Sequence, residues 1–236
     1  MKEISLNLKS MQDYRINESY KQLRTNIEFS GEENKIIAIT SCTPSEGKST
    51  VSLSTAYSLA EAGKKVLFID ADLRKSVLAG RYKITGEMKG LTHFLSGQGD
   101  LSEILCKTNE KGLFVIFAGP VPPNPAELLG SKKFAALLKE ARNIYDYIII
   151  DTPPLGSVID SAIVSAVCDA AILVISANTI SYKFARSVKD QLAKTGCNIL
   201  GVVLNKVDMS RQGYYGKYYG KYYGKYGKYG KYGHED

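Results

Sequence analysis

KIIAITSCTPSEGKSTV, residues 35–51, passes from an apolar run through a polar loop into a helical pattern. Residues 36–40 are few and β-branched, which predicts a buried strand. Gly47-Lys48-Ser49-Thr50 then opens a helix that continues through Leu53, Ala56, Leu59 and Ala60. Strand, loop, Gly-Lys-Ser/Thr and helix is the arrangement that holds a nucleoside triphosphate. Loop amides surround the β-phosphate, and the positive end of the helix dipole faces it. Lys48 is expected to bridge the β- and γ-phosphates and the Ser49 hydroxyl to ligate Mg²⁺. Thr43, Glu46, Gly47 and Thr50 complete the expected nucleotide-binding loop. The usual pattern has a glycine five residues before the Gly-Lys pair, and Cys42 stands there instead.

Working outward, residues 66–69 form a second apolar run that ends in Asp70-Ala71-Asp72-Leu73-Arg74. Residues 147–151, YIIID, form another, ending in Asp151 as a Walker B strand does. Acids at strand ends lie where open parallel sheets bind ligands. Asp70, Asp72 and Asp151 are therefore candidates for Mg²⁺ and proton handling. Further strands are expected at 113–117, 170–175 and 199–204. Helices are expected at 126–129, 132–142, 157–167 and 182–193. Asn124 is expected to cap the first of these, with Pro125 at its first helical position. Residues 75–112 read as short helices and loops, with His93 a surface or packing residue. Strands alternating with helices predict an α/β fold, a mostly parallel sheet covered on both faces, with its chemistry along the C-terminal edge. Asn205-Lys206-Val207-Asp208 follows the last strand. NKxD also reads guanine in GTPases, but strand–NK is common in related ATP-binding folds, so Asn205 joins the nucleotide-binding set.

Ahead of the loop, a helix pattern at 17–29 carries Glu18, Lys21 and Arg24 at spacing three; such a stripe is ordinarily a solvated face. Residues 1–13 read as a mobile lead or a short edge segment. Cys42, Cys106, Cys168 and Cys197 are widely spaced and the two histidines are far apart, so a zinc site built by the protein is not expected. With no apolar run of membrane-spanning length and no secretory leader, a reducing cytoplasm is expected. The net charge is +7. Residues 213–236 supply five lysines against Glu235 and Asp236, a net +3. This tail repeats YYGK and YGK and holds Tyr214, Tyr215, Tyr218, Tyr219, Tyr222, Tyr223, Tyr226, Tyr229 and Tyr232. It has almost no aliphatic residues and cannot build a core. Its tyrosines suit phosphate acceptance, nucleic-acid stacking or self-association.

Taken together, SCTPSEGKST, LFIDADLR, GPVPPNPAELL, YIIIDTPP, GVVLNKVD and the terminal tyrosines resemble the bacterial tyrosine kinases (BY-kinases) of the CpsD/CapB type. These are relatives of the MinD/ParA P-loop ATPases. The resemblance implies an ATP-dependent protein-tyrosine kinase of capsular or exopolysaccharide synthesis that autophosphorylates its tail in trans. Residues 1–212 would be the kinase domain and 213–236 a flexible tail. Lys48 would stabilise phosphate charge, Ser49 and Asp72 would hold Mg²⁺, Asp151 would complete its outer shell, and Asp70 would take or orient the tyrosine proton. Spacing leaves the roles of Asp70 and Asp72 interchangeable. The family's ExxRxxR assembly motif becomes Glu18-x-x-Lys21-x-x-Arg24 here. Lysine lacks the arginine fork, so a ring, typically an octamer, is expected to be weakened. A membrane-anchored activator of the polysaccharide co-polymerase type and a protein-tyrosine phosphatase are the implied partners, with the kinase at the inner membrane face through its activator. No nucleic acid is expected. The rival readings are a MinD/ParA-like ATPase switch on membrane or DNA, and a nucleic-acid binder using the tail. Against the first, the loop reads Thr-Pro-Ser-Glu from position 43, without the signature lysine.

Overall fold

The computed structural model describes residues 2–8, 13–82 and 89–208. Its strands are β1 (Lys2–Ile4), β2 (Ile36–Ser41), β3 (Val66–Asp70), β4 (Leu105–Thr108), β5 (Leu113–Ile116), β6 (Tyr147–Asp151), β7 (Ala170–Ser176) and β8 (Asn198–Asn205). They form one sheet in the order β1-β4-β5-β3-β6-β2-β7-β8. From β5 to β8 all neighbours are parallel; β4 runs antiparallel to β5 and carries β1 beside it.

Every residue of β2, β3 and β6 is buried, because helices cover both faces of the sheet. The strand period of two divides their side chains. Ile37, Ile39, Phe68 and Ile149 pack with Val51 and Leu59 of α2 (Lys48–Glu61) and with Ile27 of α1 (Tyr14–Glu28). Ala38, Ile69, Ile148 and Ile150 meet the opposite layer. There lie Leu129 of α6 (Pro125–Leu129), Phe134 and Leu138 of α7 (Lys132–Arg142), Val164 of α8 (Asp160–Ser165) and Leu192 of α9 (Tyr182–Ala193). The short helices α3 (Leu78–Arg81), α4 (Leu91–Leu95) and α5 (Leu101–Ile104) fill the segment after β3. No described helix is long and apolar enough to cross a membrane.

Four details depart from the expectations. The stretch 75–112 contains a strand, β4, where only helices and loops were expected; its short sequence LCKT hides two buried positions, Cys106 and Thr108, behind an exposed lysine. The first helix begins at Tyr14 rather than residue 17, because Asp13 accepts the Arg15 and Ile16 amides. The helix expected at 157–167 shrinks to Asp160–Ser165, the residues before it forming turns. Asn124 holds the cap position of α6, but its side chain donates to Glu127 Oε2 at 2.7 Å instead of capping. A compact unit of the chain ends at Asn205. The nine tail tyrosines lie outside the described residues.

The N-terminal edge of the sheet is closed by Asp169, just ahead of β7. Its Oδ2 accepts the Ile36 amide at 2.7 Å and the Lys35 amide at 3.0 Å, and both its oxygens take Arg142 Nη1. Arg142 also donates to the Glu33 carbonyl at 3.0 Å. Asp169→Ala strips the amide that starts β2 and a guanidinium of their acceptor, and is expected to cost about 2–4 kcal/mol. Thermal unfolding followed by circular dichroism should show the loss; an unchanged midpoint would deny Asp169 this role.

Candidate active site

The phosphate loop leaves β2 at Ser41 and enters α2 at Lys48. It turns through two left-handed residues, Ser45 at φ 66° and Gly47 at φ 90°. Gly47 is the N-cap and has no side chain to occupy the first amides of α2, which suits an anion there. A Cβ on Gly47 would lie 2.1 Å from Asn205 Nδ2, and that amide donates to the Glu46 carbonyl at 2.9 Å. The Glu46 side chain is buried and spans the loop: Oε2 accepts the Thr43 amide at 2.7 Å, and Oε1 accepts the Ser176 amide at 3.2 Å. Glu46 and Asn205, both expected at the nucleotide, here brace the loop against the ends of β7 and β8. Thr50 Oγ1 accepts from Arg81 Nη1 at 2.8 Å.

Cys42 is fully buried and has no need of positive φ. The close backbone approach that a glycine often permits is supplied by the partner instead. A Cβ on Gly156 would lie 2.2 Å from the Cys42 carbonyl oxygen. Burial, aided by the nearby Glu46 charge, pushes the Cys42 thiol up to about 12.

Three strand ends bring the predicted charged residues together. Lys48 Nζ, itself buried, lies 2.9 Å from Asp151 Oδ1, 3.1 Å from Ser49 Oγ and 3.9 Å from Asp72 Oδ2. Ser52, one helical turn beyond Lys48, also donates to Asp151 Oδ1 at 2.9 Å. Asp70 and Asp151 are direct register partners on β3 and β6. Asp70 is 0% exposed. Its Oδ1 accepts the Asp72 amide at 3.2 Å, and its Oδ2 accepts the Ser76 hydroxyl. Burial, with the Asp151 carboxylate next in weight, pushes the Asp70 carboxyl up to about 7. Ser76 is exposed, so its hydroxyl connects Asp70 with the solvent side. Asp72 is 9% exposed, and its Oδ1 accepts the Lys75 amide at 3.0 Å.

A P-loop of this build is a nucleotide site, and one observation bears on a metal beside it. Asp151 Oδ2 is buried without a hydrogen-bond partner. Such an oxygen is costly unless something donates to it, which suits a metal-bound water. Among the described residues no three His, Cys, Asp or Glu side chains converge on a metal by themselves. That agrees with Mg²⁺, which takes one or two carboxylates and completes its shell with phosphate oxygens and water. The residues present fit it.

Other residues lie elsewhere. Glu18 and Lys21 pair with each other along α1 at 2.8 Å, and Arg24 Nη1 donates to the Ser58 carbonyl of α2 at 2.7 Å. His93 Nδ1 accepts the Gly90 amide at 3.1 Å, a packing role. Three neighbours of the site escaped the sequence reading: Ser52, Ser76 and Asp160. Ser52 follows Lys48 by one helical turn and was legible from that spacing. Ser76 and Asp160 lie in loops or loop ends where no periodicity marks them.

The raised Asp70 pKa makes stability depend on pH. Between about pH 4 and pH 7 the native protein keeps a proton that the unfolded chain has released, so stability falls across that window and then levels. Asp70→Asn should remove this slope and raise the thermal midpoint of nucleotide-free protein above pH 7, by up to about 4 kcal/mol in stability. Parallel melting curves of wild type and variant across that range would expose a wrong assignment.

Known proteins share these features. A family model described as an AAA domain matches residues 34–198. The tyrosine-protein kinase CpsD of Streptococcus agalactiae is 50% identical over 205 residues, covering 85% of this chain and 90% of its own. The kinase domain of the Escherichia coli tyrosine kinase ETK superposes with a TM-score of 0.81 at 33% identity, covering 89% of this chain and 84% of that one. The septum site-determining protein MinD of Pyrococcus horikoshii, solved with Mg-ADP, gives a TM-score of 0.64 at 27% identity over 75% of this chain and 72% of its own. With its lysine and three strand-end carboxylates set on a MinD-like P-loop sheet, the chain belongs to the bacterial tyrosine-protein kinases (BY-kinases) of the CpsD type.

Proposed function

We propose that this kinase transfers the γ-phosphoryl group of ATP to the tyrosines of its own C-terminal tail, in trans between chains, and thereby regulates capsular or exopolysaccharide synthesis and export. The observation that carries the reading is the corner where Lys48 meets Asp72 and Asp151 beside a loop whose first helical amides are left for phosphate. Residues 1–212 act as the catalytic domain, and residues 213–236, with their nine tyrosines, act as substrate.

Phosphoryl transfer asks for positioning and charge neutralisation more than for covalent chemistry. The amides at the start of α2 receive the phosphates, and Lys48 moves its charge from Asp151 onto them. Ser49 and Asp72 would hold Mg²⁺, with Asp151 beside them accepting from water bound to it. When bound there, Mg²⁺ would supply neutralisation of phosphate charge. Asp70 is the proton acceptor. A phenol of pKa about 10 is a poor nucleophile until its proton has somewhere to go. The Ser76 hydroxyl takes the phenolic proton while passing its own to Asp70 Oδ2, which is already its hydrogen-bond partner.

A membrane-anchored activator of the co-polymerase type and a resetting phosphatase complete the reading, and place the kinase at the inner face of the membrane. Glu18, Lys21 and Arg24 belong to an assembly face through which neighbours present their tails, in a ring or smaller oligomer. The rival, an ATPase switch that responds only to nucleotide state, is separated by one measurement. Lys48→Met protein mixed with an active chain lacking residues 213–236 should acquire phosphotyrosine, and each chain alone should stay blank. Failure of the mixture to label would remove transfer in trans; near-normal labelling by folded Lys48→Met alone would remove the phosphate-loop reading.

The proton path has its own signature. Because Asp70 must be ionised to accept a proton, transfer at saturating ATP should rise with pH through about 7. Asp70→Asn should abolish that limb, and Ser76→Ala should lower the rate on the order of tenfold or more. A pH profile unchanged in Asp70→Asn would remove it as acceptor.

A further inference from the structure

Arg74 grips the fully buried Asp160 through two parallel bonds, Nε to Oδ2 at 2.8 Å and Nη2 to Oδ1 at 2.9 Å. The two residues belong to different segments of the chain. Arg74 lies two positions beyond Asp72, in the segment after β3. Asp160 opens α8, after the segment that follows Asp151.

The segment after β3 has few other holds. Leu73 is buried, but Arg74, Lys75, Ser76 and Val77 are all exposed. At its start the Ala71 amide donates to the Asp151 carbonyl at 2.8 Å and Asp72 faces Lys48; beyond that, Asp72 to the Lys75 amide and Ser76 to Asp70 stay within β3 and its own loop. Among the described side chains of this segment from Arg74 onward, the Arg74 fork alone crosses to the Asp151 side. On that side the anchor is firm. Ser161, next to Asp160, donates to the Pro153 carbonyl, and Thr40 Oγ1 of β2 donates to the same carbonyl at 3.0 Å. A continuous path therefore runs from Asp151 through Pro153, Ser161, Asp160 and Arg74 to Asp72. Its two ends are the carboxylates that flank Lys48, at 2.9 Å and 3.9 Å.

We propose that Arg74 and Asp160 are a positioning pair that, together with the Ala71–Asp151 backbone bond, sets the placement of the Asp72 side chain relative to Asp151, and so the site's capacity to couple Mg²⁺ to nucleotide. The pair touches neither reacting atoms nor phosphate. It rests on the reading of Asp72 as a Mg²⁺-holding residue. The fork is the essential feature, since a lysine cannot span both oxygens of Asp160.

The test measures ADP affinity of the full chain by calorimetry, with and without Mg²⁺, beside the thermal midpoint. In wild type, Mg²⁺ should tighten ADP by about tenfold or more, within the usual range of coupling between ligands. Asp72→Asn should lose most of that gain. Arg74→Met should lose it too, while metal-free ADP affinity stays within about twofold, since the side-chain bonds of Arg74 go to Asp160 and not to the phosphate loop. Arg74→Lys should fall between. The decisive variant is Arg74→Met with Asp160→Asn, which leaves no buried carboxylate unpaired. It should regain the wild-type thermal midpoint without regaining the Mg²⁺ gain, and it decides the question even if Arg74→Met alone fails to fold. Recovery of both would reduce the pair to charge neutralisation and overturn the proposal. If Asp72→Asn keeps the full gain, the metal reading of Asp72 fails and the proposal with it; if Asp72→Asn loses the gain and Arg74→Met keeps it, the positioning pair alone is overturned.

Discussion

Lys48 brings one positive charge into a buried corner shared by Asp70, Asp72 and Asp151, and the surrounding structure answers to that imbalance. An ammonium can neutralise one neighbour well, and the geometry gives it to Asp151, whose Oδ1 also receives Ser52. Asp70, its register partner on β3, is left to burial and to a like charge, which favour its protonated form. The corner exists only because β3 and β6 are neighbours that end level with one another. Level strand ends require the sheet order, and the sheet order requires helices on both faces to bury β2, β3 and β6 entirely. Charge at one edge of the sheet is thus supported by apolar packing through its whole depth.

The opposite edge has the contrary character. Asp169 is paired there with a guanidinium and two backbone amides, so its charge is answered wherever it points. One edge is satisfied and holds the scaffold. The other leaves a buried oxygen of Asp151 without a donor. The division of labour between the two edges follows from burial and hydrogen bonding, and it is the usual division in parallel α/β sheets.

Much of this was legible in the residues. β-branched apolar runs marked the central strands, and the acids that end two of them marked the site, because a fully buried strand has few reasons to finish in a carboxylate. Strand β4 escaped, since four residues held between β1 and β5 leave little pattern. The bracing roles of Glu46 and Asn205 escaped for another reason. Residue type and spacing place a side chain near a loop, but whether it faces a ligand or the loop's own backbone is settled in three dimensions. The Arg74–Asp160 pair is the extreme case: its members are separated by 86 positions, and although Arg74 closes the LFIDADLR motif, nothing local announces Asp160 as its partner.

A thiol within a phosphate loop would ordinarily make a nucleotide enzyme vulnerable to oxidants and electrophilic inhibitors. Cys42 escapes that liability twice over. Its side chain has no access to solvent, and its proton is held to about pH 12, so the reactive thiolate is essentially absent at neutrality. The missing side chain of Gly156 makes room for the Cys42 carbonyl, so the backbone passes there without a glycine at position 42. The departure from the usual glycine at position 42 therefore carries no redox sensitivity into the kinase, and covalent chemistry aimed at this cysteine has no foothold while the loop stays folded.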